Sequence, residues 1–393
     1  MPKTNEMSEK GLPQNKIREI LETKLESDFT YSSGKILCSM CTSPHIFAKQ
    51  IYRKYLEKNL GDPSLFPASA EVEHEAVQML GSFLSNPTAS GSIVSGGTEA
   101  NIMALWSARN LAKKKCGEVI VPVSAHYSFD KASDLLNLNL VKVKLNERFQ
   151  MDVKAAKKAI SPRTVAIVGV AGSTGLGTVD LIPELSEIAS ANNIYLHVDA
   201  AFGGFVLPFL QELGYQALDF DFRLPGVCSI TIDPHKMGLA PIPAGGILFR
   251  DEVMTEAVST RIPYLTGEEK GQPTLLGTRS GASALAVWAV LKNLGREGYR
   301  AVVERCLQLT WNLVRGIQQI GGLDVVAEPT LNVVGIKSDT TDIRLIFQKL
   351  RKRGWAVTLF PNFTRIVVMP HTKPNHISNF LSDLKGIVGD SSD

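Results

Sequence analysis

Apolar positions recur along this chain with two different periods. Near the start, Ile17, Ile20, Leu21 and Leu25 stand at helical spacing, which predicts an amphipathic helix over residues 13–28. A second helix is expected over Ile46–Leu60, stopped by Gly61-Asp62-Pro63, and a third over Glu71–Leu84, where Val72, Ala76, Met79, Leu80 and Phe83 share one face. From about residue 92 short β-branched runs alternate with helical stretches. Ile93-Val94 leads into Ser95-Gly96-Gly97-Thr98 and a helix through Leu111. Further strands are expected at Glu118–Val123, Leu140–Leu145, Thr164–Val170, Ile194–Val198, Ser229–Ile232 and Gly246–Phe249. Helices at His126–Leu136, 152–160 and 181–192 separate several of them. This alternation predicts an α/β layer around a mostly parallel sheet.

Residues 259–276 follow neither period and are rich in Thr, Gly, Glu and Pro, which reads as a long functional loop. Helices are expected next at Ser283–Leu294 and Gly298–Ile320. The β-like runs Val333–Ile336, Ala356–Leu359 and Arg365–Met369, with helices at 341–353 and 374–388, predict a small C-terminal α/β domain. The expected organisation is an N-terminal helical segment (1–60), a large domain (61–290) and a small domain (291–393).

Composition narrows the partners. Lys and Arg number 42 against 39 Asp and Glu, a net charge of +3 that points to neither nucleic acid nor an anionic membrane. The N-terminus lacks the apolar core of a signal peptide, and no stretch approaches the length of a membrane span. Five cysteines, an odd and sparse set, predict reduced thiols and a cytoplasmic setting. Cys38-Ser-Met-Cys41 lies near His45 but has no second half-site, so no metal is expected.

Four elements, each at the end of an expected strand, carry the chemistry: Ser95–Asn101, His126, His197–Ala201 and Asp233-Pro-His-Lys236. Ligands of open α/β sheets sit beyond the carboxyl ends of the strands, so all four would converge on one crevice. Gly96-Gly97-Thr98 before a helix can cradle a phosphate on free N–H groups, although a plain helix cap has the same look. Asp199 ends an apolar strand, where a carboxylate is costly unless paired. Its partner could be a protonated ring nitrogen, a helix terminus or a metal. The small Ala200 and Ala201 leave room for a flat ring. Lys236 follows a β-branched strand and precedes an apolar turn. That makes it a candidate Schiff-base lysine, with burial expected to lower its pKa. His235 beside it can donate to a phosphate.

Together these motifs resemble the pyridoxal-phosphate (PLP)-dependent group II amino-acid decarboxylase family, which includes the glutamate, aromatic amino-acid and histidine decarboxylases. His126-Tyr-Ser-Phe-Asp-Lys-Ala is similar to that family's ring-stacking histidine segment, and Gly172-Ser-Thr174 to its Gly-Thr-Thr segment. Pro263-Tyr264-Leu265 and Leu276-Gly277-Thr278-Arg279 resemble its mobile loop and the segment after it. Asn59-Leu-Gly-Asp-Pro, Thr231–Gly238 and Ile366-Val-Val-Met-Pro-His look like the archaeal L-tyrosine or L-aspartate decarboxylase branch. Asp233 departs from the Asn that the larger family often carries.

The resemblance implies the PLP-dependent transferase fold of type I. Its large domain holds a mostly parallel sheet of the seven-stranded type, beside a small C-terminal α/β domain. It implies PLP on Lys236, with Asp199 at the ring nitrogen and His126 stacked on the ring. Gly97, Thr98 and His235 would hold the phosphate, and Thr174, Ala201 and Asp233 would complete the cofactor contacts. A homodimer with shared sites follows, in which Gly277 and Thr278 serve the neighbour's phosphate. Tyr264 would donate the final proton. Thr42, His45 and Arg365, with Cys41 and Phe66, are candidate substrate contacts; a strand-edge salt bridge is the alternative for Arg365. Tyrosine ranks slightly ahead of aspartate as substrate on resemblance alone. The rivals are a carbon–sulfur or carbon–carbon lyase of the same fold, since fold does not fix reaction, and a PLP-fold protein without turnover.

Overall fold

The structure, a computed structural model, describes residue 7 and residues 9–114, 116–262 and 271–389. Its first part is helical: α1 (Gln14–Leu25), α2 (Ile46–Lys54) and α3 (Pro67–Phe83). Proline at the first turn of α3 costs no hydrogen bond, because the N–H it lacks would have had no partner inside the helix. The α/β layer then runs β1 (Ser90–Val94), α4 (Gly97–Ala112), β2 (Glu118–Pro122), α5 (Ser128–Leu136) and β3 (Asn139–Val143). It continues through α6 (Val153–Ala159), β4 (Thr164–Val170), α7 (Ile182–Ala191), β5 (Tyr195–Asp199), α8 (Leu207–Leu210), β6 (Val227–Ile232) and β7 (Gly245–Phe249).

These seven strands form one sheet in the order β1-β7-β6-β5-β4-β2-β3. Only β7 runs against the others, pairing antiparallel with both β1 and β6. Strands β2, β4, β5 and β7 are buried at every residue, as a sheet covered on both faces requires. The parallel strands therefore deliver their carboxyl ends to one edge of the sheet, and β7 brings its amino end to the same edge.

After α9 (Glu252–Glu256) and the short pair β8 (Thr260–Arg261) and β9 (Gly271–Gln272) comes a long helical run, α10 (Gly281–Gln318), capped by the Ser280 hydroxyl. The two helices expected here are both present within this run, separated at Gly295, where the backbone is not helical. The φ of +56° there suits glycine and few other residues. The first part of α10 packs in the core of the large domain against α2 and α3; from Leu309 onward it packs in a second core around Trp355 and Phe380. That core belongs to the smaller sheet β10-β11-β13-β12, built from β10 (Leu323–Val325), β11 (Val333–Ser338), β12 (Thr358–Phe360) and β13 (Phe363–Val367). Helices α11 (Ile343–Lys352) and α12 (Pro374–Gly389) complete it. The three-residue β10 escaped the sequence pattern because it is too short to show a period.

Residues 36–45 strap the two parts together. Leu37 exchanges backbone hydrogen bonds with Ala356 and Val367 of the small sheet, and the His45 N–H donates to Leu239, just past Lys236. Helix α1 forms where its period predicts, yet Ile17, Ile20, Leu21 and Leu25 all stay exposed.

Candidate active site

A cavity of about 370 Å³ opens at the shared sheet edge. Its wall gathers Gly97 and Thr98 after β1, His126 after β2, Thr174 after β4, Asp199 and Ala201 at the end of β5, and Asp233, His235 and Lys236 after β6. Residues more than a hundred positions apart meet there because parallel strands end side by side.

The glycine at 97 answers to a close approach: a Cβ there would stand 2.9 Å from Asp233 Oδ2 and 3.3 Å from Ala201 Cβ. The α4 terminus is stabilised from within, since Glu99 in the first turn accepts the Ser95 N–H at 2.8 Å. Across the cavity, His235 Nδ1 accepts the Ala244 N–H at 3.2 Å, which leaves the ring proton on Nε2. Ala244 reaches it because β7 starts at this edge.

Lys236 Nζ lies 2.9 Å from Asp233 Oδ2, and His235 Nε2 lies 3.5 Å from the same oxygen. Burial works to lower the lysine's pKa, but Asp233 and Asp199 outweigh it and the net shift is upward. The expected lowering of this pKa is thereby corrected: burial is the largest single effect, but the neighbouring carboxylates together exceed it. Burial pushes Asp233 up, and Lys236 and His235 pull it down further, to about 2. Burial lowers His126 despite the pull of Asp199, so its imidazole is held neutral.

Asp199 is 6% exposed and accepts one hydrogen bond on each oxygen, from Asn101 Nδ2 at 3.0 Å and from the Ala201 N–H at 3.1 Å. Both donors are neutral. Asp233 Oδ1 is buried without a hydrogen-bond partner among the described residues. A helix N-terminus and an imidazole N–H for a phosphate, an amine for an aldehyde and an uncompensated carboxylate for a ring nitrogen are the donor set that PLP requires.

Several expected contacts lie elsewhere. Gly277 and Thr278 are not on the wall of their own chain's cavity; Thr278 lines a separate recess with Val94, Ser95 and Pro243. Arg365, 7% exposed, stands one layer back and donates to the backbone carbonyls of Thr174 and Cys38 at 2.6 and 2.7 Å and to Thr358 Oγ1 at 3.1 Å. No carboxylate pairs with it among the described residues, so the strand-edge salt bridge is not what holds it. Its Nε is buried without a partner among those residues. Thr42 bonds His371 Nδ1 at 2.9 Å, and His45 Nδ1 is buried without a partner among the described residues. Burial raises the Cys41 thiol and Lys236 pulls it back, which places that thiol within electrostatic reach of the lysine. Tyr264 lies outside the described residues, and among the described residues no cluster of acidic, His and Cys side chains could hold a metal.

The sequence reading missed Met40, Ser124, Tyr127 and Phe202 on the wall, and the buried polar set behind Asp199. A signal for that set was present: His197 and Asp199 share one face of β5, and Ser229, Thr231 and Asp233 share one face of β6 and its exit. Polar residues at every second position of an apolar strand mark a polar seam.

A type I PLP enzyme is the class that this sheet, cavity and lysine define. The pyridoxal-dependent decarboxylase conserved domain matches residues 37–338, and the chain belongs to that family. It is 49% identical over 378 residues to the L-aspartate/L-glutamate decarboxylase of Pyrococcus horikoshii, covering 96% of this chain and 98% of that one. It is 50% identical over 360 residues to a Methanothermobacter thermautotrophicus protein named "Probable L-tyrosine/L-aspartate decarboxylase", covering 91% and 98%. Among solved structures, a Burkholderia pseudomallei sphingosine-1-phosphate lyase superposes with a TM-score of 0.91 at 30% identity, covering 98% of this chain and 93% of that chain. The cofactor is accordingly pyridoxal 5'-phosphate and the activity amino-acid decarboxylation, that of a carboxy-lyase.

Proposed function

We propose that the chain decarboxylates L-aspartate to β-alanine at a PLP site built on Lys236, with L-tyrosine to tyramine as the second reading. The observation that carries aspartate is Arg365, a buried guanidinium with no acidic partner among the described residues, tied to the cavity wall at Thr174. A substrate carboxylate is the anion such a site accommodates. The names of both relatives include aspartate, which adds support. Tyrosine draws on a neighbouring apolar recess of about 390 Å³ lined by Tyr127, Phe149 and the stacked pair Phe360 and Phe363. A side-chain ring could lie there.

When bound, the cofactor supplies a protonated pyridine ring that accepts the electron pair left as carbon dioxide departs. The chain's residues do the rest. Lys236 would hold the cofactor at its aldehyde carbon. Asp199 would keep the ring nitrogen protonated, and His126 would present a neutral imidazole to the ring. Gly97, Thr98 and His235 would hold the phosphate; Thr174, Ala201 and Asp233 would fix the ring. Thr42 and His45 border the substrate. Tyr264, by resemblance, delivers a proton to the substrate's α-carbon.

The sites are shared in a homodimer. The exposed apolar face of α1 and the position of Gly277 and Thr278 away from their own cavity support this arrangement. The cytoplasm is the proposed compartment, on the strength of free thiols at all five cysteines. Arg365→Lys, which keeps the charge, and Arg365→Met, which removes it, test the substrate reading. The expected result is a KM for aspartate raised at least about tenfold by Met and less by Lys, with tyrosine turnover little changed. Equal loss on both substrates would contradict it.

A further inference from the structure

Asn101 uses every polar valence of its side-chain amide. Its Nδ2 donates to Asp199 Oδ2 at 3.0 Å and to Ser128 Oγ at 2.9 Å. Its Oδ1 accepts from Thr231 Oγ1 at 2.7 Å and from His197 Nε2 at 3.0 Å. His197 Nδ1 in turn meets the Ser229 hydroxyl at 2.8 Å. The set is closed to water: Asn101 is 1% exposed, and Ser128, His197, Ser229 and Thr231 are 0% exposed.

This arrangement permits one orientation. Flipping the amide would turn its oxygen toward the Asp199 carboxylate and its N–H groups toward the Thr231 and His197 donors. The histidine must carry its proton on Nε2 to serve Asn101, and Ser229 then donates to Nδ1. Burial holds this imidazole neutral, with its pKa at about 3. No charge therefore enters the chain of hydrogen bonds that ends on Asp199.

We propose that Asn101 is the positioning residue of the site. It fixes the rotation of Asp199 and, as the last link of the neutral chain Ser229–His197–Asn101, leaves the whole charge of that carboxylate for the cofactor's ring nitrogen. A cationic donor in the same place would neutralise the carboxylate, and an apolar residue would let it turn. The inference rests on the reading of Asp199 as partner of the ring nitrogen.

The test compares Asn101→Ala with the unaltered enzyme, each loaded either with PLP or with the analogue whose ring nitrogen is replaced by C–H. With PLP, the variant should lose about 10- to 100-fold in kcat with a smaller change in KM. With the carbon analogue, the two proteins should agree within about twofold. A ¹⁵N resonance of labelled PLP should report a protonated ring in the unaltered enzyme and a partly deprotonated one in the variant at the same pH. Equal losses on both cofactors, or an unchanged resonance, would overturn the role of Asn101. If the unaltered enzyme is itself indifferent to the ring nitrogen, the reading of Asp199 fails instead. Should Asn101→Ala not fold, Thr231→Val removes one donor onto Asn101 Oδ1. It is expected to show the same cofactor-dependent loss, smaller in size, and its absence would equally overturn the proposal.

Discussion

The amine of Lys236 stands 2.9 Å from Asp233 Oδ2, and this carboxylate is the foremost of the charges that together outweigh burial and raise the lysine's pKa. A lysine captures an aldehyde as the free amine, so a raised pKa slows cofactor uptake near neutrality. Asp233→Asn removes the charge and keeps the shape. The pH dependence of PLP uptake by the apoenzyme should move toward lower pH by roughly 1 pH unit or more, and uptake at pH 7 should accelerate. An unmoved profile would show that Asp233 does not set the lysine's basicity.

His197 sets a pH limit on stability. Burial holds its pKa at about 3, against 6.5 when free. The folded-state value is depressed, so the unfolded chain binds the proton first. The stabilisation is fully present above about pH 6.5 and declines as pH falls toward 3, at no more than about 1.4 kcal/mol per pH unit. His197→Gln removes the titration. The difference in urea midpoint between the two proteins should narrow steadily from pH 7 to pH 4; a constant difference would contradict a neutral buried imidazole.

The four strand-end motifs were legible because glycine pairs, an acid ending an apolar strand and a lysine after a β-branched run each conflict with simple packing. Conflict of that kind marks function. The polar seam behind Asp199 was not legible: Ser229 and Thr231 are ordinary strand residues until Asn101 arrives from a helix 130 positions away. The direction of the Lys236 shift was misjudged for a related reason. Asp233 was visible in the sequence, but the 2.9 Å separation that brings its charge to bear on the lysine is a property of the turn. The break at Gly295 was legible because a glycine between two helical periods reads as a helix stop.

Glu73 and Arg279 fasten the segment that carries Gly277 and Thr278. Two contacts of 2.5 and 3.1 Å join them, their side chains are 11% and 10% exposed, and Glu73 also accepts the Ile93 N–H at 2.9 Å. Glu73→Ala strands a buried guanidinium and should lower unfolding free energy by about 3–5 kcal/mol in urea titrations. Glu73→Leu combined with Arg279→Met should recover part of that loss. A cost below about 1 kcal/mol for the single change would mean that the pair is effectively solvated.

Tyr264→Phe keeps a ring and removes a proton. Cofactor and substrate binding should persist, turnover should slow, and part of the product should be abnormal or the enzyme progressively inactivated. Product analysis against the unaltered enzyme checks this. A normal rate and amine yield would assign the proton to another group.

Decarboxylation at a cofactor bound to Lys236 leaves a trace in the fate of the substrate's α-carboxyl carbon. The most direct measurement follows ¹³C from the α-carboxyl of labelled L-aspartate and L-tyrosine in the unaltered protein and in Lys236→Ala. The unaltered protein should release one labelled carbon dioxide for each amine formed, and Lys236→Ala should release none. Consumption of substrate with the label retained in the product, or undiminished release by Lys236→Ala, would contradict that chemistry.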